Sequence, residues 1–118
     1  MTSKIERDVD RELQGVDSDT FLYQLHENCF FHEERFHAFL ALCQELVSFY
    51  VQHGKTPQYT EIVRLLLDRF AYIAGIFAFH YSSMDSFQIQ NWSARMESDI
   101  LPYYFDVYRE ICSGIIIN

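Results

Sequence analysis

The sequence predicts an all-α protein, an antiparallel bundle of four to five helices that form a single helical domain over residues 1–118. Only four glycines and two prolines interrupt the chain, so the elements between them should be long. Apolar residues make up 49% and aromatic residues 17% of the composition, enough for one substantial core. Apolar residues also recur at helical spacing, and no window alternates as a strand would.

A short charged segment forms the first predicted helix. The stretch "SKIERDVDREL" places Ile5, Val9 and Leu13 at i, i+4 and i+8, on one face. Gly15 follows directly and is a common helix stop. The acidic residues of this segment, Glu6 among them, are expected on the solvated face of an amphipathic helix.

The next segment has the strongest helical pattern in the chain. Its apolar positions are spaced alternately three and four residues apart, which makes an unbroken heptad seam. The seam predicts one long helix over about 19–53, closed by Gly54, and any bend should fall near Asn28. The seam consists of Leu22, Leu25, Cys29, His32, Phe36, Phe39, Cys43, Leu46 and Tyr50.

The helix after the turn "GKTPQYTE" is predicted to lie at the centre of the bundle. Pro57 suits its first position. Apolar residues cover most of its circumference, and such a helix packs on more than one side. One face carries Tyr59, Ile62, Leu66, Phe70, Ile73, Phe77 and His80, and a second flank carries Leu65, Tyr72, Ile76 and Phe79.

The last part of the chain is predicted as two helical segments separated by Pro102. Asp85 is a suitable N-cap for the first segment and Asp99 for the second, which Gly114 ends. A break or kink at Pro102 explains why the apolar face turns by about a quarter turn there. The first face carries Ile89, Trp92, Met96 and Ile100, and the second carries Leu101, Tyr104, Phe105, Tyr108, Ile111 and Cys112.

Net charge gives the first indication of function. Seventeen acidic residues against nine basic ones give a charge of -8, which repels nucleic acid and anionic lipid and attracts a basic partner. Simple solubility is the alternative explanation. No apolar run of about 18 residues predicts a membrane span, and the charged start is no secretory signal. Three cysteines, an odd number, indicate free thiols and a cytoplasmic protein.

The stretch "HENCFFHEERFH" at residues 26–37 raises the question of a metal site. A zinc-protease helix needs two histidines four residues apart, but His32 and His37 are five apart and differ by about 140° around a helix. His32 lies on the seam and is predicted to be a buried structural histidine. Glu33 and His37 read most simply as a solvated i, i+4 pair. Whether His26, Glu33 and His37 hold adventitious metal stays open.

No motif indicates catalysis. Glu34 and His37 match one Glu-x-x-His element of a di-iron bundle, which needs a second such element, and no other histidine has a glutamate at that offset. The sequence also lacks a CxxC pair, a glycine-rich phosphate loop and a G-x-S-x-G elbow. We therefore predict a protein that is not an enzyme, with no catalytic residues, no cofactor and no metal site.

A polar stripe on the last helix is the predicted contact for a partner. Asp99, Tyr103, Asp106 and Glu110 fall within about 60° of one another, opposite the predicted apolar face. Acids steer association, and tyrosine offers contact area at low entropic cost. A solvated helix face is the alternative for any one of these residues. The second candidate surface is the Glu33 and His37 face of the long helix.

The chain resembles the small, acidic, helical immunity proteins of bacterial contact-dependent growth inhibition and related polymorphic-toxin systems. The likeness covers size, charge and helical layout, "TFLYQLHENCFFHEERFHAFLALCQELVSFY" followed by "EIVRLLLDRFAYIAGIFAFHYSS". It implies neutralisation of a cognate toxin inside the producing cell, and a nuclease with a basic RNA-binding cleft would suit an acidic inhibitor best. The resemblance assigns no role to any single residue.

Two other functions remain open from the sequence. A self-associating regulatory or adaptor domain could form a homodimer through the seam and the flank that includes Tyr72 and Phe79. A metal-dependent bundle enzyme is the third, although the ligand count opposes it. We expect a monomer or homodimer that binds neither nucleic acid nor membrane.

Overall fold

Helices make up most of the molecule. The computed structural model describes residues 3–81 and 88–117, without the side chains of 116 and 117. Helices account for 79% of this part, which contains no strand, so the all-α class is confirmed. The predicted N-cap Asp85 lies outside the described residues. The helices are α1 (Lys4–Gln14), α2 (Phe21–Asn28), α3 (Glu33–His53), α4 (Tyr59–His80) and α5 (Ala94–Ile117).

Contacts between helix ends give the topology. The start of α1 meets the end of α3, where the hydroxyl of Tyr50 donates a 2.8 Å hydrogen bond to Glu6. The start of α4 meets the end of α5, where the hydroxyl of Tyr59 lies 3.5 Å from the carbonyl oxygen of Ile115. Helices α3 and α4 are joined by a short turn and pack along their lengths, as the contact between the rings of Phe39 and Phe70 shows, so consecutive helices from α3 onward are antiparallel. Helices α3 and α5 therefore run in the same direction, and they are in contact near both ends.

The core is rich in aromatic rings. Tyr104 is completely buried, and its hydroxyl donates a 2.6 Å hydrogen bond to the carbonyl oxygen of Phe70 in α4. This bond satisfies the one polar atom that such a ring brings into an apolar interior. Because each ring removes a large apolar area from water, this cluster accounts for much of the hydrophobic stabilisation. The buried aromatic residues are Phe21, Phe31, Phe36, Phe39, Tyr50, Phe70, Phe77 and Tyr104.

The single long helix predicted over 19–53 is wrong, because it is divided into α2 and α3. Cys29 has a left-handed backbone, with φ of 52°, and caps the end of α2. A regular helix would separate Phe31 from Phe36 by about 140°. The interruption instead brings both rings into the core, with centroids 4.9 Å apart. The break therefore allows Phe31 and Phe36 to be buried together, which a continuous helix would not.

A contact distant in sequence fixes this interruption. The side chain of Asn91 accepts a hydrogen bond from the backbone N–H of Phe31 and donates one to its carbonyl oxygen, both at 2.8 Å. The N–H of Gln90 donates a 2.7 Å bond to the carbonyl oxygen of Cys29. These bonds replace intrahelical partners that the chain gives up between α2 and α3.

His32 is structural, but not as a buried seam residue. It is half-buried and forms the N-cap of α3, where its Nδ1 accepts the backbone N–H of Arg35 at 3.3 Å. The prediction of burial failed because the seam was extended through a segment that is not helical. The capping role follows from the first N–H groups of a helix, which need acceptors.

Pro102 neither breaks α5 nor re-aims its apolar face, so both predictions are wrong. Ser98 and Pro102 are exposed, and the carbonyl that a proline leaves without an intrahelical partner can therefore be hydrated. Asp99 lies inside the helix and is no N-cap, and Phe105 is 41% exposed. The buried face observed keeps Met96 and Ile100 of the first predicted face and lies about a quarter turn from the second predicted face. It consists of Met96, Ile100, Tyr104, Val107 and Ile111.

Gly114 does not end α5 but lets it approach α3. A Cβ atom at this position would lie 2.6 Å from Cγ1 of Val47. Non-bonded carbon atoms do not pack so closely, so the absence of a side chain permits the contact. The prediction failed because glycine at a close helix crossing looks the same in sequence as glycine at a helix end.

Candidate partner-binding surface

The predicted stripe on α5 is exposed along its whole length. Asp99, Tyr103, Asp106 and Glu110 are all accessible to solvent. The prediction placed the stripe opposite the buried face, but the stripe lies about a quarter turn from that face. This shift follows from the correction to the buried face, and it moves the stripe to the side of α5 that borders α3.

An arginine joins this stripe to the start of α3. The guanidinium of Arg95 forms ion pairs with Glu33 of α3 and, at 3.3 Å, with Asp99 one turn along α5. The hydrogen bond with Glu33 raises the pKa of Arg95 above its usual value. Glu33 belongs to the second candidate surface, so an ion pair already links the two surfaces.

An aromatic contact joins them a second time. The rings of His37 and Tyr103 lie with centroids 5.2 Å apart and planes at 52°. Phe36 lies beneath Tyr103, with centroids 6.4 Å apart, and connects this pair to the core. The two predicted surfaces are therefore one, which we call the α3–α5 surface. It consists of Glu33, His37, Arg95, Asp99, Tyr103, Asp106, Arg109 and Glu110.

Charge on the α3–α5 surface is only partly neutralised within the fold. Asp106 pairs with Arg109 on the same helix. Glu110 has no ion pair among the described residues. Exposed ion pairs contribute only about 0–1 kcal/mol each. The acids of this surface can therefore exchange their present partners for those of another protein.

The three residues for which adventitious metal binding was left open, His26, Glu33 and His37, do not form a cluster. His26 lies at the end of α2, where its Nδ1 is 2.7 Å from the hydroxyl of Tyr72 in α4. Glu33 and His37 lie on α3, beyond the interruption that separates the two helices. Within residues 3–81 and 88–117, no three histidine, cysteine or acidic side chains are close enough to hold a metal ion.

The sequence patterns did not identify two charged residues that hold helices together, Arg95 and Glu6. Arg95 stands four residues before Asp99, a helical spacing that predicts their ion pair. Glu6 was expected on a solvated face but is 0% exposed. Ser3 and Glu6 form a capping box at the start of α1, and the Ser-x-x-Glu pattern was visible in the sequence.

Comparisons with known proteins identified no relative of this chain. No protein-family model, no curated protein and no solved structure matches the chain. None of the described helices is both long and apolar enough to cross a membrane. Function therefore has to be inferred from the α3–α5 surface itself.

Proposed function

We propose that this protein is a non-catalytic binding protein that holds a basic protein partner on the α3–α5 surface. One observation carries the proposal: two separately predicted contact sets meet in a single exposed surface around Tyr103 and His37. The proposal includes no catalytic residue, cofactor or metal.

Physical chemistry supports this kind of contact. An exposed tyrosine held by neighbouring rings loses little conformational freedom on binding, so its contact area is gained at low entropic cost. The surrounding carboxylates raise the rate of encounter with a positive partner, and the net charge of -8 adds to that attraction. The same charge opposes contact with nucleic acid and anionic membranes.

More specifically, we propose an immunity protein of a contact-dependent growth inhibition system. It would neutralise a cognate toxin, most suitably a nuclease with a basic cleft, in the cytoplasm of the producing cell. Small size, acidity and the helical layout support the proposal, which also depends on the resemblance described above. The toxin's cleft would supply positive charge that complements the acids of the α3–α5 surface.

Self-association through the predicted faces finds less support. The seam residues within α2 and α3 are buried in the fold. Of the second α4 flank, Ile76 is buried, Leu65 and Tyr72 are half-buried, and only Phe79 is widely exposed, at 51%. A homodimer through the seam would require the core to open, and the α4 flank offers only Phe79 as a widely exposed contact. The metal-dependent enzyme, the third function, has no cluster of ligands among the described residues to support it.

The test measures association with the partner at two salt concentrations. The partner is the toxin domain encoded beside this gene, or the basic protein that dominates an affinity pull-down. Surface plasmon resonance should show the association rate falling steeply with salt, because the Debye length shrinks from ~10 Å at 0.1 M to ~3 Å at 1 M. Asp106→Lys with Glu110→Lys should slow association by about tenfold or more.

A matched double variant controls for net charge. Glu45→Lys with Glu61→Lys makes the same change in charge at exposed positions on α3 and α4. It should slow association much less. Both double variants should keep the helical content and melting temperature of the parent. Equal effects of the two variants, or association that does not depend on salt, would exclude the α3–α5 surface as the contact.

A further inference from the structure

We infer that the α3–α5 surface receives arginine side chains of its partner, and that Arg109 competes with them from within the fold. The inference rests on the proposed function, because it specifies the chemistry of the same contact. It names both the group that the surface recognises and a residue that weakens recognition.

The first reason is that guanidinium groups already occupy these carboxylates. Arg95 lies between Glu33 and Asp99, and Arg109 pairs with Asp106. A guanidinium has five N–H donors in a planar fork that matches a carboxylate, whereas an ammonium offers a point charge. The acids of this surface thus suit a guanidinium, the group that they already bind in Arg95 and in Arg109.

The second reason is the position of Tyr103 between two acids. Asp99 precedes it by four residues and Asp106 follows by three, so each carboxylate lies about one helical turn, or ~5.4 Å, away along α5. The ring leans on His37 and is 39% exposed. A guanidinium stacked on this ring can reach a carboxylate at the same time. A lysine ammonium lacks the plane needed to do both.

The two internal arginines differ in what they hold. Arg95 links α3 to α5, so its removal would loosen the surface itself. Arg109 binds one acid three residues away on its own helix, and its side chain is 78% exposed. An exposed pair of this kind contributes little to stability. Removing Arg109 would therefore free Asp106 and remove a positive charge that repels the partner, with little effect on the fold.

The experiment uses acetyl-hexa-arginine amide and acetyl-hexa-lysine amide as probes of equal charge. Isothermal titration calorimetry gives affinities, and amide chemical-shift mapping locates the contact. We expect the arginine peptide to bind several-fold more tightly than the lysine peptide and to shift amides near residues 33–37 and 95–110. Tyr103→Leu, which keeps apolar bulk but removes the aromatic ring, should abolish the preference for arginine.

Arg109→Gln tests the internal competitor directly. It should tighten arginine-peptide binding by about two- to fivefold, the range expected from releasing one exposed pair. Arg64→Gln on α4 makes the same change in net charge at another exposed position and should have a smaller effect. Thermal melts of each variant check that the fold is intact.

The outcomes separate this inference from the proposed function. If both peptides map to the α3–α5 surface with equal affinity, or if the variants at residues 64 and 109 tighten binding equally, the inference is overturned and the proposed contact stands. If neither peptide shifts amides of this surface, the proposed contact and the inference both fail.

Discussion

A buried carboxylate gives the sharpest test of how this fold is held together. Glu6 accepts hydrogen bonds from the backbone N–H of Ser3 at 3.3 Å and from its hydroxyl at 2.8 Å. It also accepts from the hydroxyl of Tyr50 at 2.8 Å and from that of Thr56 at 2.5 Å. One side chain thus joins the start of α1 to the end of α3 and to the following turn. The informative perturbation is Glu6→Gln, which keeps the shape and removes the charge.

The expected cost follows from the bonds that the amide cannot make. A glutamine has one acceptor oxygen, so its amino group must face either the hydroxyls of Tyr50 and Thr56 or the hydroxyl and backbone N–H of Ser3. Hydrogen bonds to a charged group contribute about 1.5–3 kcal/mol each. The loss of two bonds is partly offset, because hydroxyls can turn to accept and a neutral amide is less costly to bury. We expect the free energy of unfolding to fall by about 2–3 kcal/mol.

Urea denaturation at pH 7 measures this change, and a double-mutant cycle assigns it. Tyr50→Phe removes one donor, and the cycle should show a coupling of about 1 kcal/mol or more with Glu6→Gln. Glu61→Gln, at an exposed position on α4, is the matched control and should change stability by less than about 0.5 kcal/mol. A Glu6→Gln variant as stable as its parent, or a coupling near zero, would refute the reasoning.

Acid should erase the difference between the parent and Glu6→Gln. Burial by itself raises the pKa of Glu6, but hydrogen bonds from Thr56, Ser3 and Tyr50 outweigh it, so the pKa is lowered from the ordinary 4.5. A lowered pKa means that the native state favours the ionised form. Its contribution to stability is complete above about pH 4.5 and is lost as the pH falls through the folded-state value. Denaturation curves at successively lower pH should therefore converge.

Two further pairs of variants test corrections made by the structure. Gly114→Ala should destabilise the protein by about 1–2 kcal/mol, since overpacking against Val47 exceeds the gain in helix propensity, whereas Gly75→Ala, whose Cβ would meet nothing closer than 3.9 Å, should stabilise it by about 0.5–1 kcal/mol. Equal effects in thermal melts would show that α3 and α5 do not approach as described. His32→Leu should lower stability by about 1 kcal/mol because α3 loses its N-cap, while His32→Asn should retain it; a leucine variant at least as stable as the parent would return this residue to the apolar seam.

Local patterns predicted the class and several boundaries of the fold. Gly15 and Gly54 close α1 and α3 as expected, and each has a positive φ that glycine adopts without strain. The helical spacing of apolar residues identified the all-α class because the helices bury a face in one shared core, but it did not separate α2 from α3. Chemical signals for helix ends succeeded at Gly15 and Gly54 and failed at Pro57, since α4 begins at Tyr59, and at Gly114, which lies inside α5.

Features set by distant contacts were not predictable in the same way. The heptad seam continues through Cys29 because α2 and α3 bury their faces in the same core, so periodicity alone does not show the break. The face that α5 buries depends on where α3 lies, which sequence spacing does not encode. The contact between His37 and Tyr103 could not be predicted for the same reason, because no pattern near either residue indicates the other. Their predicted role in binding stays a prediction.

The junction between α2 and α3 has a consequence for the order in which the chain acquires its shape. In the described structure, the carbonyl of Cys29 and both backbone groups of Phe31 are bonded to Gln90 and Asn91. A ribosome makes the whole heptad seam well before it makes these two residues. Until then, these backbone groups lack the partners that they have in the native fold, and the apolar spacing of the seam fits a continuous helix as well as a broken one. The bonds that fix the junction can form only after Gln90 and Asn91 are made, and this closure over 60 residues is of the long-range kind that slows folding.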